Sequence, residues 1–585
     1  MKHLISNENC QLLCPLKTLY GDSEGNDLFS WLKEKLNNFR LDQDLLTGPQ
    51  DQINEKDSII ITYADQFSSV DELPLRTLKR FSAAYLDEVV SGIHLLPFFP
   101  WSSDDGFSVI DYRAVDPLFG SWQDVKELGE NFKLMFDAVI NHISSKSKWF
   151  LEFLEGEPKY ENYFITMDPA EDLSMVVRPR TSPLLTLYAS KSGDKWVWTT
   201  FSADQIDLNY KNPQVFKDVV EILLFYIQNG AYFIRLDAIA YLWKEKGTKS
   251  IHLPQTHAII HLFNSIIKEI APHVKLITET NVPHKENVSY FGDGSDEAHL
   301  VYNFALPPLI LHTFYSQNTK ALTDWAAALS LPSNEVTFFN FLASHDGIGI
   351  TPVQGLISEK EIEQIVKEVL NRRGLISYKK NPDNSESPYE LNISYFDALS
   401  LTKENYGSDN HINRFLCAHA IMFSIVGLPG IYIHSMLGSP SWHKGVNSTG
   451  HRRTINRKKY NIEEITKELS DIESVPSKVY QGIKALLQNR TKSSAFHPHG
   501  AQLVIDINPS IFSIIRISPQ GDEIALCLHN ITSTQTDIEI DPEGIGLSGQ
   551  VWRDIITDHV IDLSGKVDLN LDPYQVAWFK QENTR

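Results

Sequence analysis

Eight short apolar runs, helical patterns between them and a change of pattern near the C-terminus predict the fold class. It is α/β: a (β/α)8 TIM barrel with inserted subdomains after strands 3 and 7 and a C-terminal antiparallel β domain. The runs are Ser58–Tyr63, Gly92–Phe98, Lys133–Ile140, Tyr232–Leu236, Val274–Thr278, Leu300–Phe304, Val336–Leu342 and Leu428–Ile433. Continuous apolar runs suit parallel strands covered on both faces. Helical patterns such as Asp124–Asn131 and Val215–Asn229 follow most of them. Eight such units suggest a barrel, whose function gathers at the C-terminal strand ends.

In chain order, residues 1–56 read as an N-terminal helical extension. Leu28, Phe29, Leu32, Leu36 and Phe39 lie close to helical spacing over Asn26–Arg40. The barrel occupies 57–143, 212–346 and 408–492. Two intervals are too long for simple loops. Residues 144–211, rich in aromatics, proline and turn formers, read as inserted subdomain B. Residues 347–407 read as subdomain B′, with a charged helix near Ser358–Arg373 and a flexible active-site loop over Tyr378–Pro388. Residues 493–585 alternate like antiparallel strands, for example Ala501–Ile507, Ile511–Ile517 and Glu523–Leu528.

A formal net charge of −21 argues against nucleic acid or an anionic membrane as a general partner. An anionic substrate then needs a local basic site. Four cysteines are too few for a disulfide framework, and Cys10 and Cys14 lack a second pair for zinc. The N-terminus lacks the apolar core of a signal peptide, and no run approaches the ~20 apolar residues of a membrane span. The expectation is a soluble, cytoplasmic chain with small-molecule substrates; a homodimer stays open.

In Ala231–Tyr241 the apolar run is broken only by Arg235 and Asp237, two apart and so on one side of a strand. Buried charges need partners, and a structural ion pair would give the same pattern. Other strand ends add His94, Asp137-Ala-Val-Ile-Asn-His142, Glu279 and Ser344-His-Asp-Gly347. Several carboxylates, histidines and an arginine then converge on one barrel mouth, which reads as an active site. The chemistry such a set supports is glycosidic cleavage by two working carboxylates. Arg235 favours ionised Asp237, the nucleophile. Glu279, without a cation on its own strand, is the proton donor. Asp346 beside His345 would hold sugar hydroxyls and stabilise the cationic transition state, and His142 would donate to another hydroxyl.

These segments resemble the signature regions of the α-amylase superfamily (glycoside hydrolase family 13). The resemblance implies a retaining mechanism with Asp237 as nucleophile, Glu279 as acid/base and Asp346 as stabiliser. Ile61-Thr-Tyr-Ala-Asp65, His94-Leu-Leu-Pro-Phe-Phe99, Arg178-Pro-Arg180, Arg235–Tyr241 with Lys244–Thr248, Phe304–Pro308, His345–Gly349 and Arg453–Arg457 are similar to the sucrose phosphorylase subfamily, over roughly 57–490. That similarity implies Asp104 and Arg453 as a clamp on the terminal glucose hydroxyls and Arg180 as the phosphate-binding arginine. His94, His142, Arg235, Tyr241 and His345 join them on the substrate side. No cofactor is implied beyond inorganic phosphate as co-substrate. No metal is implied either: Asn141 matches a calcium ligand of true amylases, but the insertion looks too short for their site. The segment Glu279–Asn287 and the second insertion, with Leu375–Lys380 and Ser387–Asp397, resemble the glucosylglycerate phosphorylase branch. A leaving group bearing a carboxylate would make Asn281, His284, Lys285 and Lys379 acceptor-side candidates. Sucrose phosphorylase is the alternative.

Overall fold

Eight parallel strands close on themselves in chain order: β1 (Ile59–Thr62), β2 (Gly92–Leu95), β3 (Lys133–Ala138), β4 (Ala231–Leu236), β5 (Lys275–Thr278), β6 (Leu300–Tyr302), β7 (Thr337–Phe341) and β8 (Leu428–Tyr432). Closure is the pairing of β8 with β1, with Gly430 opposite Ile59. The computed structural model describes residues 7–42, 52–381, 385–400, 406–547 and 551–582. The expectations for 1–6 and 43–51 in the N-terminal extension, 382–384 in the Tyr378–Pro388 loop, 401–405 in the second insertion, and 548–550 and 583–585 near the C-terminus lie outside those residues.

The strands are apolar along their length because both faces are covered, one by the barrel interior and one by helices. Helices Pro74–Tyr85, Trp122–Gly129, Pro213–Gln228 and Pro254–Ile270 bury one side each, and Ser121 opens the second with a reciprocal cap to Asp124. Several expected strands run one to three residues past the observed ones, into apolar residues such as Leu96, Phe98, Val139, Ile140 and Leu342 that stay buried after the barrel ladder ends.

The N-terminal segment is two helices, Asn7–Tyr20 and Asp22–Asp42. They break at Gly21, whose φ of +81° suits glycine. Leu12, Leu16, Leu28, Leu32, Leu36 and Phe39 are buried against the barrel helices Pro213–Gln228 and Pro254–Ile270. Lys33 pairs with Glu269 at 3.2 Å and Lys35 with Glu221 at 2.8 Å.

After β3 the chain forms strand His142–Ser144, paired with Gln205–Asp207, and a hairpin of Leu185–Tyr188 with Lys195–Trp198. After β7 it forms helix Glu359–Asn371 and a three-stranded sheet in which Glu386–Asn392 lies between Ile348–Gly349 and Leu375–Lys380. The C-terminal segment is an antiparallel sheet, among the described residues in the order Ala501–Asn508, Ile511–Ile517, Ile524–Asn530, Val576–Gln581, Val551–Asp554, Val560–Asp562. No helix among the described residues is long and apolar enough to cross a membrane.

Candidate active site

A narrow cavity, about 60 Å³, opens at the C-terminal ends of the strands. It brings Asp237, Glu279 and Asp346 together with Asp104, His142 and His345. Arg180, Tyr241, Asn281 and Arg453 complete the set of expected residues that line it.

Its electrostatic centre is Arg235, carried into the barrel by β4 and almost wholly buried. One guanidinium nitrogen bonds Asp137 at 2.5 Å and Asp237 at 2.8 Å, and the other lies 3.9 Å from Glu279. Burial raises the pKa of Asp237 to about 6; Arg235 pulls it down, while Asp137 and Asp346 push it up. Burial takes Glu279 further, to about 7, with Asp237 and Asp346 adding to it against Arg235. Ala238, between them in sequence, holds φ +50°, and its N–H donates to Glu279 Oε2 at 3.0 Å. A non-glycine residue held there costs backbone energy, which fits a functional position. Asp346 behaves oppositely. Burial opposes its charge, but Arg453 in direct contact, His345 at 3.5 Å and Arg457 at 3.8 Å keep its pKa well below the carboxylate range. His345 stacks on Phe107 at 4.5 Å, and burial drops its pKa to about 3, so it is neutral near pH 7.

Several expected residues take other places. His94 is fully buried beneath the pocket, its Nε2 2.8 Å from Asp137, because in the β2 register it faces into the barrel beside Met135. It steadies the Asp137–Arg235 pair. Arg235 itself lies behind the carboxylates and is outside the cavity lining. His142 lines the pocket, but its Nε2 proton is committed to the Phe107 carbonyl at 2.9 Å, and Nδ1 faces the Asn141 amide at 3.2 Å. His284 starts a short helix, and its ring packs on Trp325 and Phe338 outside the barrel mouth. Lys285 is exposed beside it. Lys379 lines neither this cavity nor the wider cleft outside it, which takes its neighbours Ser377 and Tyr378 instead, at an irregularity in the strand pairing. Arg178 reaches Ser182 and the Thr200 carbonyl at 3.0 and 3.4 Å rather than the cavity. Arg180 does reach it, and lies over the Phe201 ring at 5.7 Å.

Asp104 and Arg453 are not partners of each other. Asp104 is 3.3 Å from Arg457, whereas Arg453 grips Glu390 with two bonds of 3.1 and 2.6 Å and touches Asp346. Glu390, Tyr389, Gln205, Phe201 and Phe107 line the cavity without having been singled out from sequence. Glu390 and Tyr389 sit on a hairpin strand whose fold over the site has no local sequence signature. Arg457 lies in the motif quoted with Arg453, and Tyr389 and Glu390 lie in the quoted segment Ser387–Asp397, so these were within reach; Phe107 follows Asp104 by three residues. Beside the site, Lys244 Nζ lies 2.7 Å from Asp207 and donates to the Asn141 side-chain Oδ1 at 2.7 Å, all three residues buried.

The α-amylase catalytic-domain family model matches residues 83–369. The chain is 48% identical over 529 residues to a glucosylglycerate phosphorylase of Spirochaeta thermophila, covering 89% of each. It is 46% identical over 528 residues to one of Escherichia coli, covering 90% of this chain and 92% of that one. Among solved structures, sucrose 6F-phosphate phosphorylase from Thermoanaerobacter thermosaccharolyticum superposes with a TM-score of 0.71 at 25% identity, covering 85% of this chain and 98% of the other.

Proposed function

The chain belongs to the α-amylase family (glycoside hydrolase family 13), and from that premise we propose that it is a retaining glucoside phosphorylase. It converts glucosylglycerate and inorganic phosphate into α-D-glucose 1-phosphate and D-glycerate. The observation that carries the acceptor is the similarity to glucosylglycerate phosphorylases through nearly the whole of both chains. The chemistry follows from the pocket. An Asp237 oxygen attacks the anomeric carbon as the bond to the glycerate oxygen breaks, and Glu279 gives that oxygen its proton. A phosphate oxygen then attacks the glucosyl-enzyme, Glu279 takes the phosphate proton back, and Asp237 leaves. Asp346, held ionised by two arginines, stabilises the positive charge that develops on the sugar.

Arg180 presents a guanidinium to the incoming anion, in the bidentate manner that suits phosphate or carboxylate. Asn281 adds an amide whose oxygen is buried without a partner in the free site. Its position is fixed from behind, since a Cβ at Gly349 would come within 2.4 Å of that oxygen. Assayed in parallel with glucosylglycerate, sucrose and glucosylglycerol, the protein is expected to release glucose 1-phosphate from the first in a phosphate-dependent manner. Turnover of sucrose alone would sink the assignment; glucose release indifferent to phosphate would make the protein a hydrolase.

The same reading needs no metal. The Lys244 ammonium already lies between Asn141 and Asp207, which would otherwise present two buried oxygens to a cation. Activity is expected to survive exhaustive chelation. Lys244→Met, which strands the buried Asp207 charge, should cost about 3–5 kcal/mol of stability. Calorimetry and a chelator titration check both, and loss of activity on chelation with recovery by calcium would refute it.

A further inference from the structure

The turn that carries Asp104 is held in an unfavourable shape from two sides. It runs from Trp101 to Val109, which pair across its base, and Ser102 N–H donates to the Ser108 carbonyl at 3.1 Å. At its tip Asp104 and Asp105 both adopt positive φ, +53° and +48°. Two consecutive non-glycine residues in that region persist only where their surroundings impose it. Gly106 completes the tip against the Pro97 carbonyl, which a Cβ would meet at 2.6 Å.

One hold is Arg457, 3.3 Å from Asp104 and 2.6 Å from Asp105. The other is Asp204, on the segment that returns from the first insertion. Its Oδ2 accepts from the hydroxyls of Ser102 and Ser103 at 2.5 Å each and lies 3.0 Å from the Ser108 hydroxyl. Its Oδ1 accepts from the Ser145 hydroxyl, and from the Ser145 N–H at 3.3 Å. The Ser108 hydroxyl also reaches the Asp204 carbonyl at 2.5 Å. Among the described residues no Lys or Arg lies within ion-pair distance of Asp204, so neutral donors, the Ser102, Ser103 and Ser145 hydroxyls and the Ser145 N–H, carry its charge. No cation is thereby added to compete with Arg457 for Asp104.

We propose that Asp204 is a positioning residue for donor recognition: it ties both limbs of this turn and so fixes the Asp104 carboxylate against the glucosyl unit. Ser103, which it binds, is the residue immediately before Asp104. The proposal rests on the reading of Asp104 as a contact to the donor glucose, and assigns its selectivity in part to a residue contributed by the first insertion.

A double-mutant cycle with α-D-glucosyl fluoride as donor and phosphate as acceptor tests it. D204A is expected to lower donor kcat/KM by about tenfold to a hundredfold, chiefly through KM. D104A should lower it at least as far. Because Asp204 acts through Asp104, the D104A/D204A double variant should fall no further than D104A, to within about twofold. D204N, which keeps an acceptor oxygen, should recover part of the loss. If the two losses multiply, or D204A leaves donor kcat/KM within about twofold of wild type, the proposal is overturned while the reading of Asp104 stands. If D104A itself leaves donor kcat/KM unchanged, that reading fails and the proposal with it. Should D204A not fold, S102A/S103A cuts the same tether from the turn side and must show the same non-additivity with D104A.

Discussion

Asp237→Asn is expected to lower phosphorolysis by roughly 10⁴- to 10⁶-fold, the scale of losing a covalent nucleophile. The substitution is nearly isosteric. The asparagine amide would keep an oxygen toward Arg235, and Arg235 would keep Asp137 at 2.5 Å. The site's shape should therefore survive, with a melting temperature close to wild type. What disappears is an oxygen pair that is both ionised near neutral pH and close to the guanidinium that can stabilise it. Asp346 is not equivalent, because Arg453 and Arg457 hold its charge. A rapid-quench experiment should show no burst of leaving group, and mass spectrometry after denaturation should find no glucosyl adduct. A variant retaining more than about a hundredth of wild-type kcat would remove Asp237 from the nucleophile's role.

The barrel was legible because its strands are buried on both faces, so each is a largely apolar run in which the few polar residues, such as Asp137 and Arg235, stand out near the C-terminal tip. The residues at those tips were legible for the same reason: a charge such as Arg235 inside an apolar strand has few explanations. Side chains beyond the barrel strands were not. His284, at the start of a short helix, and Lys379, on a strand of the second insertion, are polar and near the site but do not line it, because how these elements pack is not encoded in local spacing. The Asp104–Arg457 pair joins residues 353 apart in sequence, and Glu390 reaches Arg453 only because a hairpin folds over the mouth. Lys244 was visible only as part of a motif; that it lies between Asn141 and Asp207 depends on the path of the first insertion. Helix Asn7–Tyr20 falls within the helical extension expected over 1–56, but its own apolar spacing is weaker than that of Asn26–Arg40, with Pro15 inside it and polar residues at its start.

Glu279→Gln separates chemistry from stability, and the two should move in opposite directions. For catalysis the variant loses the proton donor, so glucosylglycerate turnover should fall about 10²- to 10⁴-fold. The first step with α-D-glucosyl fluoride should fall far less, because fluoride departs as an anion and needs no proton. Wild-type kcat/KM should be bell-shaped, rising through the Asp237 pKa of about 6 and falling through the Glu279 pKa of about 7. The alkaline limb should vanish in the variant. For stability the sign follows from the raised pKa. Glu279 binds its proton more tightly folded, at about 7, than at its ordinary 4.5. Its favourable contribution is complete below pH 4.5 and is lost as pH rises through 7, leaving a buried carboxylate beside two others. Glutamine is never charged, and its amide oxygen can still accept the Ala238 N–H. The variant should therefore match wild type near pH 4.5 and exceed it at pH 8 by about 3 kcal/mol. Melting curves of both proteins across that range decide it. A variant less stable than wild type at pH 8 would mean that Glu279 is held ionised in the folded protein, and it would then be unfit to act as the acid.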